Sequence, residues 1–388
     1  FLGSHGPSSE QELKTSKIHQ LQENTMASFE SFFKSVTAFD QPYRWQTDLA
    51  EDSFCGNRLI RIPTGFGKTL GILTVWLWHR VHQKNDSWPR RLVWCLPMRV
   101  LVDQTEAEVR RVLKAAEILW EGGEHKGKVG VHMLMGGEDA GEWHIFPEEC
   151  AVLIGTQDMI LSRAMNRGYG APRARWPMEF GLLNQDCLWV LDEVQLMDVG
   201  LATATQLQAF RDDDADQRKT LRPSVTWWMS ATLQSGWLKK SPDTNKLVDS
   251  LKFTRIPIAQ RTGHLWDDVK KSLKLETIHD SYELAELVSR KHIEAEMGKN
   301  GVTLVVVNTV ARAIEVFEEL FKDSRLTDGK ADIKLIHSRF RPAERELWKV
   351  EFLTRSKCEA GTNRIIISTQ VVEAGVDISA GLLVTELA

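Results

Sequence analysis

At 388 residues the chain exceeds what one hydrophobic core usually organises, so two domains are expected. Its composition, 42% hydrophobic and 26% charged, is that of a soluble globular protein. The longest apolar run, 70–78, is interrupted by Gly71 and Thr74 and falls short of the ~20 residues a membrane helix needs. A net charge of −4 argues against holding a polyanion by bulk positive charge, so phosphates would be met by placed arginines and backbone amides.

In chain order, residues 1–38 read as a polar leader with a short helix carrying Phe29, Phe32 and Phe33. Gly3-Ser4-His5 reads as a cloning remnant and Met26 as a natural start. From Asn57 onward, nearly continuous apolar runs at 58–62, 91–96, 150–155, 188–191 and 225–229 predict parallel strands covered on both faces. Leu73, Leu77 and Val81 recur at helical spacing after the first of these, and Leu101, Val109 and Leu113 after the second. Repeated βα units predict a doubly wound α/β domain over 39–238. Residues 239–300 turn polar and read as an interdomain segment, with a helix near 282–297. A second βα series over 301–388 has strands at 303–307, 333–336 and 364–368 and a helix carrying Ile314, Phe317 and Phe321.

Pro63-Thr64-Gly65-Phe66-Gly67-Lys68-Thr69 stands between a strand and a helix. Glycines there let backbone N–H groups approach phosphate oxygens, and the helix start adds positive potential. Lys68 would reach the β- and γ-phosphates of ATP and Thr69 would bind magnesium. The flanking strand and helix favour this over a glycine-rich turn with a surface lysine. Asp192-Glu193-Val194-Gln195 ends the strand 188–191, at the edge where open α/β sheets bind ligands. Asp192 would hold magnesium and Glu193 would orient and deprotonate the attacking water; alone, the pair could equally cap a helix. Ser230-Ala231-Thr232 takes its meaning from following that pair. Gln46 could read adenine through its amide, an exposed glutamine being the equal alternative. In the second series, Thr369 and the His337-Ser338-Arg339 turn suit contacts to a nucleic-acid phosphate, with an ordinary loop arginine as the alternative for Arg339. Gly375 and Asp377 suit the nucleotide, a carboxylate accepting from a ribose hydroxyl.

In this order the motifs resemble superfamily 2 helicases over Gln46 to Asp377, whose phosphate loop takes the form Pro-Thr-Gly-x-Gly-Lys-Thr. Finer detail resembles the helicase-nuclease of type I CRISPR-Cas systems, most closely the subtype labelled U or G. The carrying stretches are Trp94-Cys95-Leu96-Pro97-Met98-Arg99-Val100-Leu101-Val102-Asp103-Gln104-Thr105, Gly155-Thr156-Gln157-Asp158, Ser162-Arg163-Ala164, Arg167-Gly168-Tyr169-Gly170 and Leu191-Asp192-Glu193-Val194-Gln195-Leu196-Met197. The resemblance implies two RecA-like domains with the ATP site in the cleft between them, and Arg99, Thr156, Gln157, Arg339 and Thr369 on the tracked strand. It implies that Ser230 and Thr232 couple that strand to the ATP site, where Gln195 replaces the Asp or His common in related motors. It further implies a cytoplasmic single-stranded-DNA motor recruited by an RNA-guided effector complex, an RNA helicase or a nucleotide-gated binding module being the alternatives. The family's arginine-bearing motif is expected beyond Ala388, and its nuclease domain or subunit elsewhere.

Other signals are weaker. His279-Asp280 lacks the further ligands of a metal site and reads as linker. Asp212, Asp214 and Asp216 alternate as in a calcium loop but lack its glycine and final glutamate, and read as a solvated acidic loop. Arg163, Arg167, Arg173 and Arg175, interleaved with Tyr169 and Trp176, suit either nucleic-acid contact or an ordinary surface loop. The five cysteines, without C-x-x-C spacing, indicate neither a zinc site nor disulfides.

Overall fold

The computed structural model describes residues 28–136, 143–262, 264–267, 272–295, 301–328, 331–337, 339–341, 344, 347–348, 351–353, 357–358, 361–372, 378 and 380–386. The chain divides into two compact units, Phe1–Asp267 and Asp268–Ala388.

The first unit opens with helices α1 (Phe29–Val36) and α2 (Arg44–Ala50), followed by strand β1 (Arg58–Arg61) and helix α3 (Lys68–Trp76). There follow β2 (Arg91–Leu96), α4 (Arg99–Ala115), β3 (Val129–Leu134), β4 (Cys150–Thr156) and α5 (Gln157–Ala164). The unit continues with α6 (Trp176–Asn184), β5 (Cys187–Leu191), α7 (Val199–Asp216) and β6 (Val225–Ser230). It closes with α8 (Pro242–Asp249), β7 (Lys252–Arg255) and α9 (His264–Asp267). Seven parallel strands lie in the order β3-β4-β2-β5-β6-β1-β7. Every residue of β2, β5 and β6 is buried, as a sheet covered on both faces requires.

Three expectations change here. Residues 29–36, assigned to the leader, pack into the first unit. Phe29, Phe32, Phe33 and Val36 recur at i, i+3, i+4 and i+7 and are buried, with Phe29 and Phe32 lying 6.2 and 5.6 Å from Trp78. Trp78 sits in a π-helical turn, Leu77–His82, that continues α3. The segment 239–300, expected between domains, is itself divided. Its β7 pairs in parallel with β1, while its later helix belongs to the second unit. The three aspartates expected in a loop lie on the last turns of α7, where Asp212 accepts from Asn57 and Gln208.

The second unit comprises α10 (Ser281–Glu294), β8 (Val302–Val306), α11 (Val310–Lys322), β9 (Asp332–Ile336), β10 (Arg364–Ser368) and β11 (Ala380–Thr385). Its parallel sheet runs β11-β8-β10-β9. Leu284, Ala285 and Val288 of α10 join Val316 and Leu320 of α11 in its core. The His279-Asp280 pair starts α10: Asp280 accepts from the Glu283 N–H at 2.8 Å, and the His279 N–H donates to the Glu283 carboxylate.

Candidate nucleotide and strand site

Sheet order decides which loops meet. The chain leaves β5, β6 and β1, which are neighbours, at one edge, and Asp192, Ser230 and the loop 62–67 follow from their ends. Gly65 and Gly67 both hold left-handed backbone, at φ 84° and 63°, which a side chain would strain. Gly67 caps α3 and Lys68 is its first residue.

The loop is held from behind by α2. The Tyr43 hydroxyl donates to the Gly65 carbonyl (3.3 Å), the Trp45 indole N–H to the Phe66 carbonyl (3.1 Å) and the Gln46 amide to the Gly67 carbonyl (2.8 Å). Three successive carbonyls are thereby tied to one helix, while the first N–H groups of α3 remain donors, as at any helix start. Gln46 is 1% exposed and its amide oxygen accepts from the Tyr43 N–H at 2.9 Å. Both ends of this amide thus bond to backbone and brace the loop, and the residue is covered, not the exposed glutamine of the alternative reading. Close approach of α2 and α3 depends on Gly71, where an added Cβ would lie 2.6 Å from the Trp45 ring and 2.7 Å from Gln46 Nε2.

Asp192 is buried, and its carboxylate accepts from the Glu193 N–H at 2.8 Å. Burial pushes its carboxyl up to about 6; the neighbouring Lys68 charge opposes that rise and Glu193 adds to it. Glu193 adopts left-handed backbone (φ 50°, ψ 49°), a conformation of some cost for a residue with a Cβ. Its two oxygens accept from different partners, Lys68 Nζ at 2.8 Å and Gln195 Nε2 at 2.7 Å. Gln195 in turn accepts from the Ser230 hydroxyl at 2.6 Å, and Ser230 accepts from the Thr232 N–H at 3.1 Å. A continuous polar chain therefore runs Lys68–Glu193–Gln195–Ser230–Thr232. Thr69 is half-buried and Thr64 exposed. The donor set of the Thr69 hydroxyl and the Asp192 carboxylate is all oxygen, one member a buried carboxylate, which fits magnesium chemically.

The residues expected on a tracked strand are spread more widely. Arg99, exposed at the start of α4, donates from Nη2 to the Gly136 carbonyl at 2.6 Å. Thr156 is half-buried at the start of α5, with no side-chain cap bond. Gln157 is half-buried: its Oε1 is covered without a partner, and a Cβ on Gly200, at the start of α7, would come within 2.2 Å of that oxygen. Of the four arginines near Tyr169, Arg163 is 3% exposed and pairs with buried Glu179 at 3.1 Å, whereas Arg167 and Arg173 are exposed. In the second unit Arg339 is exposed beyond β9, and Thr369 is buried beyond β10, its N–H donating to the Ile336 carbonyl. Gly375 and Asp377 lie outside the described residues.

Sequence reading missed several participants. Asn308 and Thr309 follow β8 at the same edge as Thr369 and Arg339; the Asn308 N–H donates to Glu386, and the Gln370 amide reaches Asn308 at 3.2 Å. Glu386 also pairs with Arg312. The strand-end rule that marked Asp192 would have marked Asn308 too. Tyr43 and Trp45 carry no such signal, because their role lies in reaching another segment's carbonyls.

A phosphate-type loop, an acidic strand end one strand beyond its neighbour and a second parallel sheet define a two-sheet P-loop motor class. Comparison with known proteins agrees. The family model of the DEAD/DEAH box helicases matches residues 45–240, and that of the C-terminal part of the CRISPR-associated nuclease/helicase Cas3 matches 299–388. The chain belongs to the DEAD/DEAH box helicases, superfamily 2, and is of the Cas3 type. It is 29% identical over 153 residues to the CRISPR-associated nuclease/helicase Cas3 of Methanothermobacter thermautotrophicus, a match covering 38% of this chain and 17% of that relative. Its fold is similar to T. fusca Cas3–ATP (TM-score 0.60, 17% identity, 97% of this chain and 46% of that one). It is also similar to S. cerevisiae Dbp5 bound to RNA and ADP BeF3 (TM-score 0.57, 17% identity, 95% and 81%). Among the described residues no helix is long and apolar enough to cross a membrane.

Proposed function

We propose that this chain is an ATP-driven motor that moves on single-stranded DNA in type I CRISPR interference, a reading supported by relatives named CRISPR-associated nuclease/helicase. The observation that carries the reading is the polar chain from Lys68 through Glu193 and Gln195 to Ser230, which leads from the phosphate loop to the next strand end. Lys68 and the amides of the loop and first turn of α3 take the triphosphate. Magnesium, held by Thr69 and Asp192, supplies charge neutralisation at the phosphates. Glu193 accepts a proton from the attacking water; without nucleotide its carboxylate is occupied by Lys68 and Gln195. When Lys68 turns to phosphate, Glu193 is left to the water and to Gln195, whose other end holds Ser230. Gln195 thus takes the place of the usual Asp or His as the link to Ser230 and Thr232. Arg99, Thr156, Arg339 and Thr369 meet the strand's phosphates, and Gly375 and Asp377 the nucleotide. An RNA-guided complex delivers the displaced strand, and a nuclease domain elsewhere cuts it.

Steady-state ATP hydrolysis by the chain, with single-stranded DNA or RNA added, tests this reading. DNA is expected to stimulate turnover more than RNA. Greater stimulation by RNA would make the chain an RNA motor, as the Dbp5 likeness allows, and nucleotide-dependent strand binding without turnover would make it a clamp.

A further inference from the structure

We infer that the loop between α5 and α6 is a further contact surface for single-stranded nucleic acid, in which the Tyr169 ring stacks on an unpaired base and Arg167 and Arg173 take flanking phosphates. This inference rests on the reading of Thr156, at the start of α5, as a strand contact. Residues 165–178 carry Arg167, Arg173 and Arg175 and no acidic residue, in a chain whose net charge is −4. Among the described residues none of these three arginines pairs with a carboxylate. Tyr169 is 64% exposed, and Met165 and Met178 are exposed as well. The segment therefore shows solvent a positive, partly apolar face.

Arg163, the buried member of the arginine cluster, anchors this loop: its Nη1 donates to the Met159 carbonyl at 3.0 Å, and it pairs with Glu179 at 3.1 Å. Gly168 lies against that pair, where an added Cβ would stand 3.0 Å from the Arg163 side chain and 3.4 Å from the Glu179 carboxylate. The Arg167 N–H donates to the Ser162 carbonyl at 2.8 Å and the Tyr169 N–H to the Ser162 hydroxyl at 3.4 Å. Farther on, the Trp176 indole N–H donates to the Ala171 carbonyl at 3.0 Å, and the Arg173 guanidinium lies 6.0 Å from that ring. Two contacts fix where the loop goes. Asn184, the last residue of α6, donates to the Ala164 carbonyl at the end of α5, at 2.9 Å. Gly170 comes back to Met159, where an added Cβ would lie 3.7 Å from Met159 Cε. Tyr169 and Gly170 therefore stand beside the first turn of α5, which opens on Thr156. Arginines held beside an exposed ring suit a single strand, because they meet its phosphates while the ring accepts any base. A duplex keeps its bases stacked on one another and offers Tyr169 no free face.

Fluorescence anisotropy of the full chain over a range of salt, with a labelled oligothymidine of ~20 nucleotides, an abasic strand of equal length and a duplex, tests the inference. Tyr169→Ala is expected to weaken the oligothymidine about 10-fold, the scale of one stacked base, and to leave the abasic strand and the duplex unchanged. Tyr169→Phe should bind as the wild type does, because the ring face is kept. Arg167→Ala combined with Arg173→Ala should lower the logarithmic salt slope by ~1.4 on the single strand, with or without bases, since two phosphate contacts are removed. An equal loss on the abasic strand in Tyr169→Ala would overturn the inference. So would undiminished strand binding by all of these variants, a result that would leave the patch to an acidic protein partner. Failure of the wild-type chain to bind any strand would instead overturn the strand reading beneath it.

Discussion

Asp192→Asn sets stability against activity at one carboxylate. Burial raises the Asp192 carboxyl from an ordinary 3.8 to about 6, so the folded chain holds this proton more tightly than the unfolded chain does. Between those two values the folded state binds more protons, and stability falls as pH rises through the window; above about 6 the whole penalty is present. At ~1.36 kcal/mol per pH unit the penalty is about 3 kcal/mol near neutrality, with the Lys68 attraction already included. Asparagine keeps an oxygen to accept the Glu193 N–H and carries no charge. Near neutral pH the variant should therefore be more stable by up to about 3 kcal/mol, or ~5–10 °C in the melting of a unit this size. The gain should shrink to roughly half at about pH 5 and nearly vanish at about pH 3, below both values, where the carboxyl is protonated in the folded and the unfolded chain alike. Magnesium-dependent ATP hydrolysis should be lost across the whole range. Thermal melts of both proteins without nucleotide, at several pH values, provide the measurement. A gain independent of pH, or a loss of stability near neutrality, would refute the assignment of burial as the cause.

Lys68→Ala should reduce ATP turnover by about 100-fold or more with the fold intact, since it removes the placed charge at the phosphates; unchanged circular dichroism with lost turnover is the expected pair of results. Glu193→Gln should retain nucleotide but lose roughly 10²–10⁴ in hydrolysis, the range for a missing general base, read as a strand-bound complex that does not turn over. Arg99→Ala and Arg339→Ala should each lower the logarithmic salt slope of single-strand binding by ~0.7 without changing sequence preference. An unchanged slope in both would remove them from the interface. Gly71→Ala should cost ~1–3 kcal/mol and weaken nucleotide binding, because the new methyl meets Trp45 and Gln46. Wild-type melting in this variant would show that α2 can shift freely.

The strands legible in the sequence and those that were not differ in place. The five strands read in the first unit are β1, β2, β4, β5 and β6, which lie inside the sheet. Helices on both faces force such strands to be apolar throughout, so composition alone announces them. The two that escaped, β3 and β7, are its edges. Val129–Leu134 is broken by Gly130 and His132, and Lys252–Arg255 is largely exposed, so neither carries a continuous apolar signal. In the second unit the edge β11 alternates between half-buried and exposed and was also missed, whereas the other edge, β9, carries Ile333, Leu335 and Ile336 and was read.

The candidate site divides the same way. Loop glycines, the lysine after them and a strand-end acidic pair are legible in one dimension, because phosphate and metal chemistry demand those residue types within a few positions of one another. Their mutual approach was not: Gln195 bridging Glu193 to Ser230 across 35 positions depends on β5 and β6 being neighbours in the sheet. Only tertiary structure brought Gln157 against Gly200 and paired Arg163 with Glu179 in the interior. It also set Gln46 behind the loop beside Tyr43 and Trp45, and carried Trp266 to Phe66 across 200 residues of chain. Residue type and local spacing state what a side chain can do chemically; which partner it meets is decided by burial and close packing between segments remote in sequence.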